Sequence, residues 1–269
     1  ILNLVVDTIH GEKIYKYKTI CYNKCDAAFI NYAYNVQKVG PNVKSEKLVF
    51  LPHSCYYKSI FNPNPDNKIF VGGHIANYPP RQHLVKLSKS KFNNQIDYYS
   101  PPVGYTVPIE QQQTVLFGQS FTDKMNEYIA CFTCDVIGTN KKLIEECGGN
   151  GYIVAKHFEI LSSGSLLVAF NERTKDMFSL LGFNDGEHYI SVTYDNLEDK
   201  LNYIFDLKNR KEIDNIRKTG YEYCLKYHNY KERAKYIQQW TEDKSKLDLS
   251  IHYNKRYDTS FILGFNKNL

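Results

Sequence analysis

The stretch Ala155-Lys156-His157-Phe158-Glu159-Ile160-Leu161-Ser162-Ser163-Gly164 runs straight into Ser165-Leu166-Leu167-Val168-Ala169-Phe170. Its first part predicts a helix over 155–163. Phe158 and Leu161 share one face, and Lys156 and Glu159, three apart, share another. Gly164 is a natural stop, because glycine adopts the left-handed conformation that ends many helices. Leu166 to Phe170 is an unbroken apolar run, as expected of a strand buried on both faces.

The same alternation continues outward. Downstream, a helix is expected over Thr174 to Leu181 and a strand over His188 to Val192. Asn196 opens the next helix, with Asp199 three residues on as an imperfect capping box. Charged helices cover about Arg210 to Lys226 and Tyr230 to Trp240. Upstream, strands are expected at Ile129 to Val136, Ile96 to Tyr99 and Lys68 to Val71. A helix covers Thr122 to Tyr128, and another starts at Pro79 or Pro80, where proline suits a first turn. Asn62-Pro63-Asn64-Pro65-Asp66-Asn67 stops helices and reads as a linker. Before it, strands are expected at Ile1 to Val6, Ala27 to Tyr32 and Leu48 to Leu51.

This pattern is α/β: a Rossmann-like, doubly wound parallel sheet with a partial second α/β domain. The expected organisation is a partial N-terminal domain over 1–61, a linker over 62–67 and a main domain over 68–240. A tail over 241–269 would pack back toward the first domain. In such sheets ligands bind at the carboxyl ends of the strands. Function is therefore expected in the loops after Val71, after Val136, before Lys156 and after Phe170. The chain begins at Ile1 inside a strand-like run, and reads as a piece of a longer protein.

Composition excludes several classes. With 269 residues, 42% hydrophobic and 23% charged, the chain is of ordinary globular make-up. No apolar run approaches the roughly 18 residues of a membrane span. Lys plus Arg is 34 against 29 Asp plus Glu, a net charge of +5. These charges are interspersed, so no nucleic-acid-binding tail is indicated. Seven irregularly spaced cysteines favour free thiols in a reducing, cytoplasmic compartment. Cys131-x-x-Cys134 is the one tight pair. It reads as two strand cysteines rather than as a metal or redox site.

Two clusters carry chemistry. Val71-Gly72-Gly73-His74 with Tyr78-Pro79-Pro80-Arg81 takes a strand through two glycines into a helix start. Glycine admits a ligand close to the backbone, and helix N-termini and arginine favour anions. Diphosphate site and plain strand–turn–helix fit these residues equally. Neither GxGxxG here nor GxxxxGK[ST] anywhere is present, which removes most support from dinucleotide and P-loop readings. In the second cluster, Lys156 at a helix start opposes the dipole unless an anion sits there. Glu159 in the first turns is placed to accept two ribose hydroxyls. A solvated Lys–Glu pair is the competing reading.

The segment Glu159-Ile160-Leu161-Ser162-Ser163-Gly164 resembles the second half of the nucleotide-sugar motif of GT-B glycosyltransferases. Leu51-Pro52-His53, Phe70-Val71-Gly72-Gly73, Tyr78-Pro79-Pro80-Arg81, Lys156-His157-Phe158 and Tyr227-His228-Asn229-Tyr230 resemble, in order and spacing, the spore-maturation-type and related members. The resemblance covers roughly residues 45–240. It implies a GT-B-like donor-binding domain with Gly72, Gly73, His74, Arg81, Lys156 and Glu159 at the donor. Glu159 would hold the ribose hydroxyls, and Lys156 and Arg81 would face the diphosphate. Metal is usually unnecessary in this fold, so no cofactor or metal is expected. One departure stands out: where the wider retaining family has a Glu contacting the donor sugar, this chain has Gly151.

The function these readings converge on is transfer of a hexosyl unit from a UDP- or GDP-sugar to an acceptor hydroxyl in glycan biosynthesis. A catalytic base would come from the first domain. Asp7 and His10 are candidates, with a strand-end Asp capping the next turn as the plainer reading. His53, near the hinge, reads as structural. The aromatics between Tyr98 and Phe132 read mostly as packing, with a minority free to stack on a base or sugar. The rival is a non-catalytic nucleotide or nucleotide-sugar binding module of a larger enzyme or complex. It would bind a donor without releasing nucleoside diphosphate. A Rossmann oxidoreductase lacks its glycine fingerprint.

Overall fold

The computed structural model describes the strands at 2–5, 27–30 and 48–50, and residues 51–75, 78–100, 116, 118–135, 151 and 153–242. The first three strands, β1 (Leu2–Val5), β2 (Ala27–Ile30) and β3 (Leu48–Phe50), form a parallel sheet in that order. A strand is thus present within each of the expected ranges 1–6, 27–32 and 48–51. Asp7, His10 and the tail beyond Glu242 lie outside the described residues.

A second sheet holds β4 (Asp66–Gly72), β5 (Ile96–Tyr99), β6 (Tyr128–Cys134), β7 (Leu166–Phe170) and β8 (Ile190–Val192). Its order is β5-β4-β6-β7-β8 and every pairing is parallel. Strand β4 begins at Asp66, so the last two residues of the expected linker are already strand. The remainder is a turn in which Asn62 Oδ1 accepts the Asn64 N–H at 3.0 Å.

Seven α-helices cover this sheet among the described residues: α1 (Pro79–Ser90), α2 (Gly118–Asn126), α3 (Ala155–Ser163), α4 (Lys175–Leu180), α5 (Leu197–Phe205), α6 (Arg210–Tyr227) and α7 (Tyr230–Glu242). Alternate residues of β6 and β7 feed two separate cores. Cys131, Leu167 and Ala169 pack with α2, α3 and α4 through Phe121, Phe158 and Phe178. Phe132, Leu166 and Val168 pack with α1 and α5 through Leu84, Leu87, Leu201 and Ile204. This explains the uninterrupted apolar run at 166–170: both faces are covered, so neither needs polar residues.

Two local readings are corrected. Residues 122–128 do not form one helix: α2 starts earlier, at Gly118, and Tyr128 already opens β6. The Asn196–Asp199 capping box is not made either. Asn196 Oδ1 instead accepts the Thr193 N–H at 2.7 Å, closing the turn between β8 and α5.

Helix α6 crosses the sheet tightly at Gly220. A Cβ there would run into the His188 carbonyl, with the carbonyl carbon at 3.1 Å and Leu161 Cδ2 at 3.0 Å. Backbone cannot swing aside as a flexible side chain can. In an open helix Gly→Ala stabilises by about 1 kcal/mol. Here overpacking of about 1–3 kcal/mol or more opposes it. Gly220→Ala is therefore expected to lower the urea midpoint, a reversal of the propensity rule. A raised midpoint would show that α6 stands off the His188 backbone.

Candidate functional site

The strand order places a topological switch point between β4 and β6. From β4 the chain first adds β5 on one side, then returns to place β6 on the other. Crevices open at the carboxyl ends of strands where such a reversal occurs. At the end of β4, Gly73 is left-handed (φ 106°), and its N–H donates to Tyr99 O at 2.9 Å. At the end of β6 lie Thr133 and Asp135, both buried. The first turn of α3 enters the same edge.

Arg81 spans this switch point. From the first turn of α1 its Nη1 donates to His74 O at 2.8 Å, and its Nη2 to Thr133 Oγ1 at 3.3 Å. The guanidinium lies 4.4 Å from the centre of the Tyr78 ring. A Cβ on Gly73 would touch Arg81 Nη1 at 2.9 Å, so glycine here makes room for the arginine as well as for the turn. Arg81 is built into the loop rather than standing open. The His74 carbonyl is tied down by Arg81 while the residue itself is exposed.

Lys156 and Glu159 do share a face, and they hold each other: Nζ to Oε2 is 2.6 Å. The Lys156 ammonium also lies over the Phe121 ring, 3.7 Å from its centre, a cation–π contact. Burial pushes its pKa below the ordinary lysine range, with Glu159 opposing and Arg81 reinforcing the shift. Phe121 closes the arrangement from the other side. A Cβ on Gly72 would meet Phe121 Cζ at 2.5 Å, so the glycine lets the ring lie against the end of β4. Gly72, Gly73, Arg81, Phe121, Lys156 and Glu159 thus come together around one edge.

Helix α3 lacks a conventional cap because residue 154 is Val. The buried His157 ring substitutes: its Nδ1 lies 3.1 Å from Val154 N and accepts that N–H. Burial pushes the His157 pKa down to about 3. Its folded value lies below the unfolded one, so the unfolded chain binds the extra proton between about pH 3 and 6.5. Stability should therefore rise with pH across that window by about 1.4 kcal/mol per unit and level off above it. His157→Gln is expected to remove that slope from the difference between variant and wild type. A parallel pair of pH–stability curves would refute it.

Sequence reading missed Phe121, Thr133, His157 and the pair Asp135–Arg173. Asp135 Oδ1 accepts from Arg173 Nη2 at 3.0 Å across the ends of β6 and β7. A Cβ on Gly151 would collide with the Asp135 carboxylate and approach Thr174 Cγ2 at 2.8 Å. A side chain at 151, the place of the missing Glu, would have to displace Asp135 and Thr174. A carboxylate ending the apolar run 129–134 was the available signal. Cys131 and Cys134, an odd number apart on one strand, point to opposite cores, and burial pushes their thiols up to about 12 and about 11. They form no joint site. Among the described residues no group of three or more His, Cys, Asp or Glu is placed to hold a metal. No helix among them is long and apolar enough to cross a membrane.

His53 and the Tyr227–Tyr230 segment meet at the corner between α6 and α7. Arg233 donates to the carbonyls of Pro52 (3.0 Å), His53 (3.0 Å) and Tyr227 (3.2 Å) and lies 2.8 Å from His228 Nδ1. Cys55 N donates to His228 O at 2.8 Å, and Tyr230 N to Cys55 O at 3.1 Å. The stretch following β3 is thereby strapped to the corner between α6 and α7.

Comparison with known proteins agrees with this architecture. Residues 145–239 match the family described as glycosyl transferase-like. No curated protein matches the sequence. Among solved structures, TarM superposes with a TM-score of 0.59 at 10% identity, over 90% of this chain and 49% of TarM. A point mutant of S. aureus TarM, in complex with Fondaparinux, alpha-GlcNAc-glycerol and UDP, gives 0.57 at 11% identity, over 90% and 50%. Anabaena HepE in complex with UDP-glucose gives 0.55 at 10%, over 90% of this chain and 71% of HepE. The chain spans about half the length of TarM. At these identities the likeness is one of fold. The parallel sheet, its switch point and these superpositions show the GT-B fold, and residues 145–239 are similar to the glycosyl transferase-like family.

Proposed function

We propose that this chain binds a UDP- or GDP-sugar at the edge between β4 and β6 and transfers the sugar to an acceptor hydroxyl. The observation that carries this reading is the Lys156–Glu159 pair, 2.6 Å apart in the first turns of α3, beside the Gly72–Gly73 turn. A cation there opposes the helix dipole, and the arrangement becomes favourable when an anion joins it. HepE and the TarM mutant were solved with UDP-glucose and UDP, which supports a nucleotide-sugar ligand for this fold.

In this mechanism the free protein keeps Lys156 and Glu159 paired. An arriving diphosphate draws the ammonium away, and the released Glu159 carboxylate accepts the ribose hydroxyls. Arg81 holds the turn through His74 O and Thr133, so the Gly72–Gly73 backbone is already shaped for close approach. As the sugar–phosphate bond breaks, charge grows on the diphosphate. Lys156 and the α3 N-terminus stabilise it without a required metal. A base from the N-terminal part, for which Asp7 and His10 are the candidates, accepts the acceptor proton. On this reading the work belongs to glycan biosynthesis in a reducing, cytoplasmic setting.

A thermal-shift panel of UDP, GDP, ADP, CDP and NAD tests the site, because a ligand of the native state raises its melting temperature. A shift with UDP or GDP and release of that diphosphate from the matching nucleotide sugar is expected. Binding without release would make the chain a binding module. A shift with NAD alone would overturn the reading.

A further inference from the structure

On the side where the stretch after β3 is strapped to α6 and α7, the surface forms a groove of about 390 Å³. Three tyrosines project into it: Tyr56 is 67% exposed, Tyr230 45% and Tyr57 39%. Large apolar rings left in water at one place mark a binding surface. The Tyr56 ring lies 5.0 Å from that of Tyr230 and 4.9 Å from that of Tyr57. Lys58, Lys231 and Lys235 ring the groove. Lys235 is neutralised by Glu232 at 2.7 Å. Among the described residues Lys58 and Lys231 have no ion-pair partner, so the groove carries an excess of two positive charges.

We infer that this groove binds an anionic oligosaccharide, one whose sugar rings carry phosphate, sulfate or carboxylate groups. Tyrosine offers an apolar face and a polar tip, which suits a sugar ring with its hydroxyls at the rim. The two unpaired ammonium groups suit its anionic substituents. An extended peptide finds no strand edge here, because the Cys55 N–H and C=O are spent on His228 and Tyr230. A single-stranded nucleic acid would ask for a basic groove tracking many phosphates, and this one is short. The groove does not use the donor-site residues. The stretch that carries Tyr56, Tyr57 and Lys58 nevertheless reaches that site through α2. Tyr57 packs on Gly118, and Gln119 Nε2 donates to Lys58 O at 3.0 Å. In the same helix, Phe121 underlies Lys156. That this oligosaccharide is also the acceptor rests on the proposed transfer reaction.

Calorimetric titration of the whole chain tests it. The probes are a sulfated heparin-type oligosaccharide, a neutral malto-oligosaccharide, poly-glutamate, oligo-uridylate and phosphatidylserine vesicles. The sulfated sugar is expected to bind, and more weakly as salt rises. Tyr56→Ala with Tyr230→Ala should weaken it about tenfold or more, as removal of exposed aromatic anchors does. Lys58→Gln with Lys231→Gln should flatten the salt dependence. The neutral sugar should bind more weakly and respond only to the tyrosine change. Equal or tighter binding of poly-glutamate, oligo-uridylate or vesicles overturns the proposal, as does unchanged affinity in the tyrosine variant. UDP and GDP binding, measured alongside, should be the same in all variants. Sugar binding without nucleotide binding would sink the donor site and leave the groove, and the converse would sink the groove alone.

Discussion

Arg233→Met is expected to destabilise the fold by about 3 kcal/mol or more, because it leaves several buried acceptors without a donor. Arg233 is 7% exposed. It serves the carbonyls of Pro52, His53 and Tyr227 together with His228 Nδ1, all within 3.2 Å. Water cannot easily replace it, since His228 is fully buried and its Nε2 is committed to Leu181 O at 3.0 Å. Methionine fills the volume but supplies no N–H. Lysine keeps the charge but lacks the planar fork that reaches several acceptors at once, so Arg233→Lys should recover little. Urea titration checks this through a lowered midpoint with an unchanged slope. A midpoint equal to wild type would mean that the strap between residues 52–55 and the α6–α7 corner contributes nothing to stability.

Glu159→Ala should weaken UDP or GDP binding by about 1.5–3 kcal/mol, roughly 10- to 150-fold in Kd, as loss of charge-assisted hydrogen bonds does. The fold should survive, because the Glu159 side chain is about one-third exposed and its removal opens no core cavity. Lys156→Gln should weaken diphosphates more than nucleosides. Equal loss for both would remove Lys156 from the diphosphate. The two changes differ in what they leave behind. Without Glu159 the buried ammonium loses the partner that opposes its depressed pKa, so the proton is held less firmly. Diphosphate binding by Glu159→Ala should then fall off at lower pH than in wild type, as Lys156 deprotonates on the alkaline side. Coincident alkaline limbs in the two pH profiles would rule out this coupling.

Much of the fold was legible because burial on both faces writes itself into composition. The runs at 129–134 and 166–170 are almost wholly apolar, which a one-sided strand would not be. Helix α3 matches its expected limits, since Gly164 ends it in the left-handed conformation (φ 85°) that the residue type suggests. Where reading failed, a local signal competed with a distant partner. Asn196 looks like a cap and serves a turn instead. Tyr128 continues a helical pattern, yet its backbone pairs with Asp66 of β4.

Within the candidate site, sequence alone determined that Lys156 and Glu159 share a helix face and that Gly72–Gly73 ends a strand. Both follow from spacing along one element. Tertiary structure decided everything that depends on elements far apart in the chain. Arg81 bonds Thr133, fifty-two positions away, and is thereby part of the loop. Phe121 fills the side-chain space that Gly72 leaves open and lies under Lys156. Asp135 closes the position beside Gly151. The physical reason is that periodicity reports which way a side chain points from its own helix or strand. What it meets there is set by the order in which strands assemble, and that order is written in no single segment.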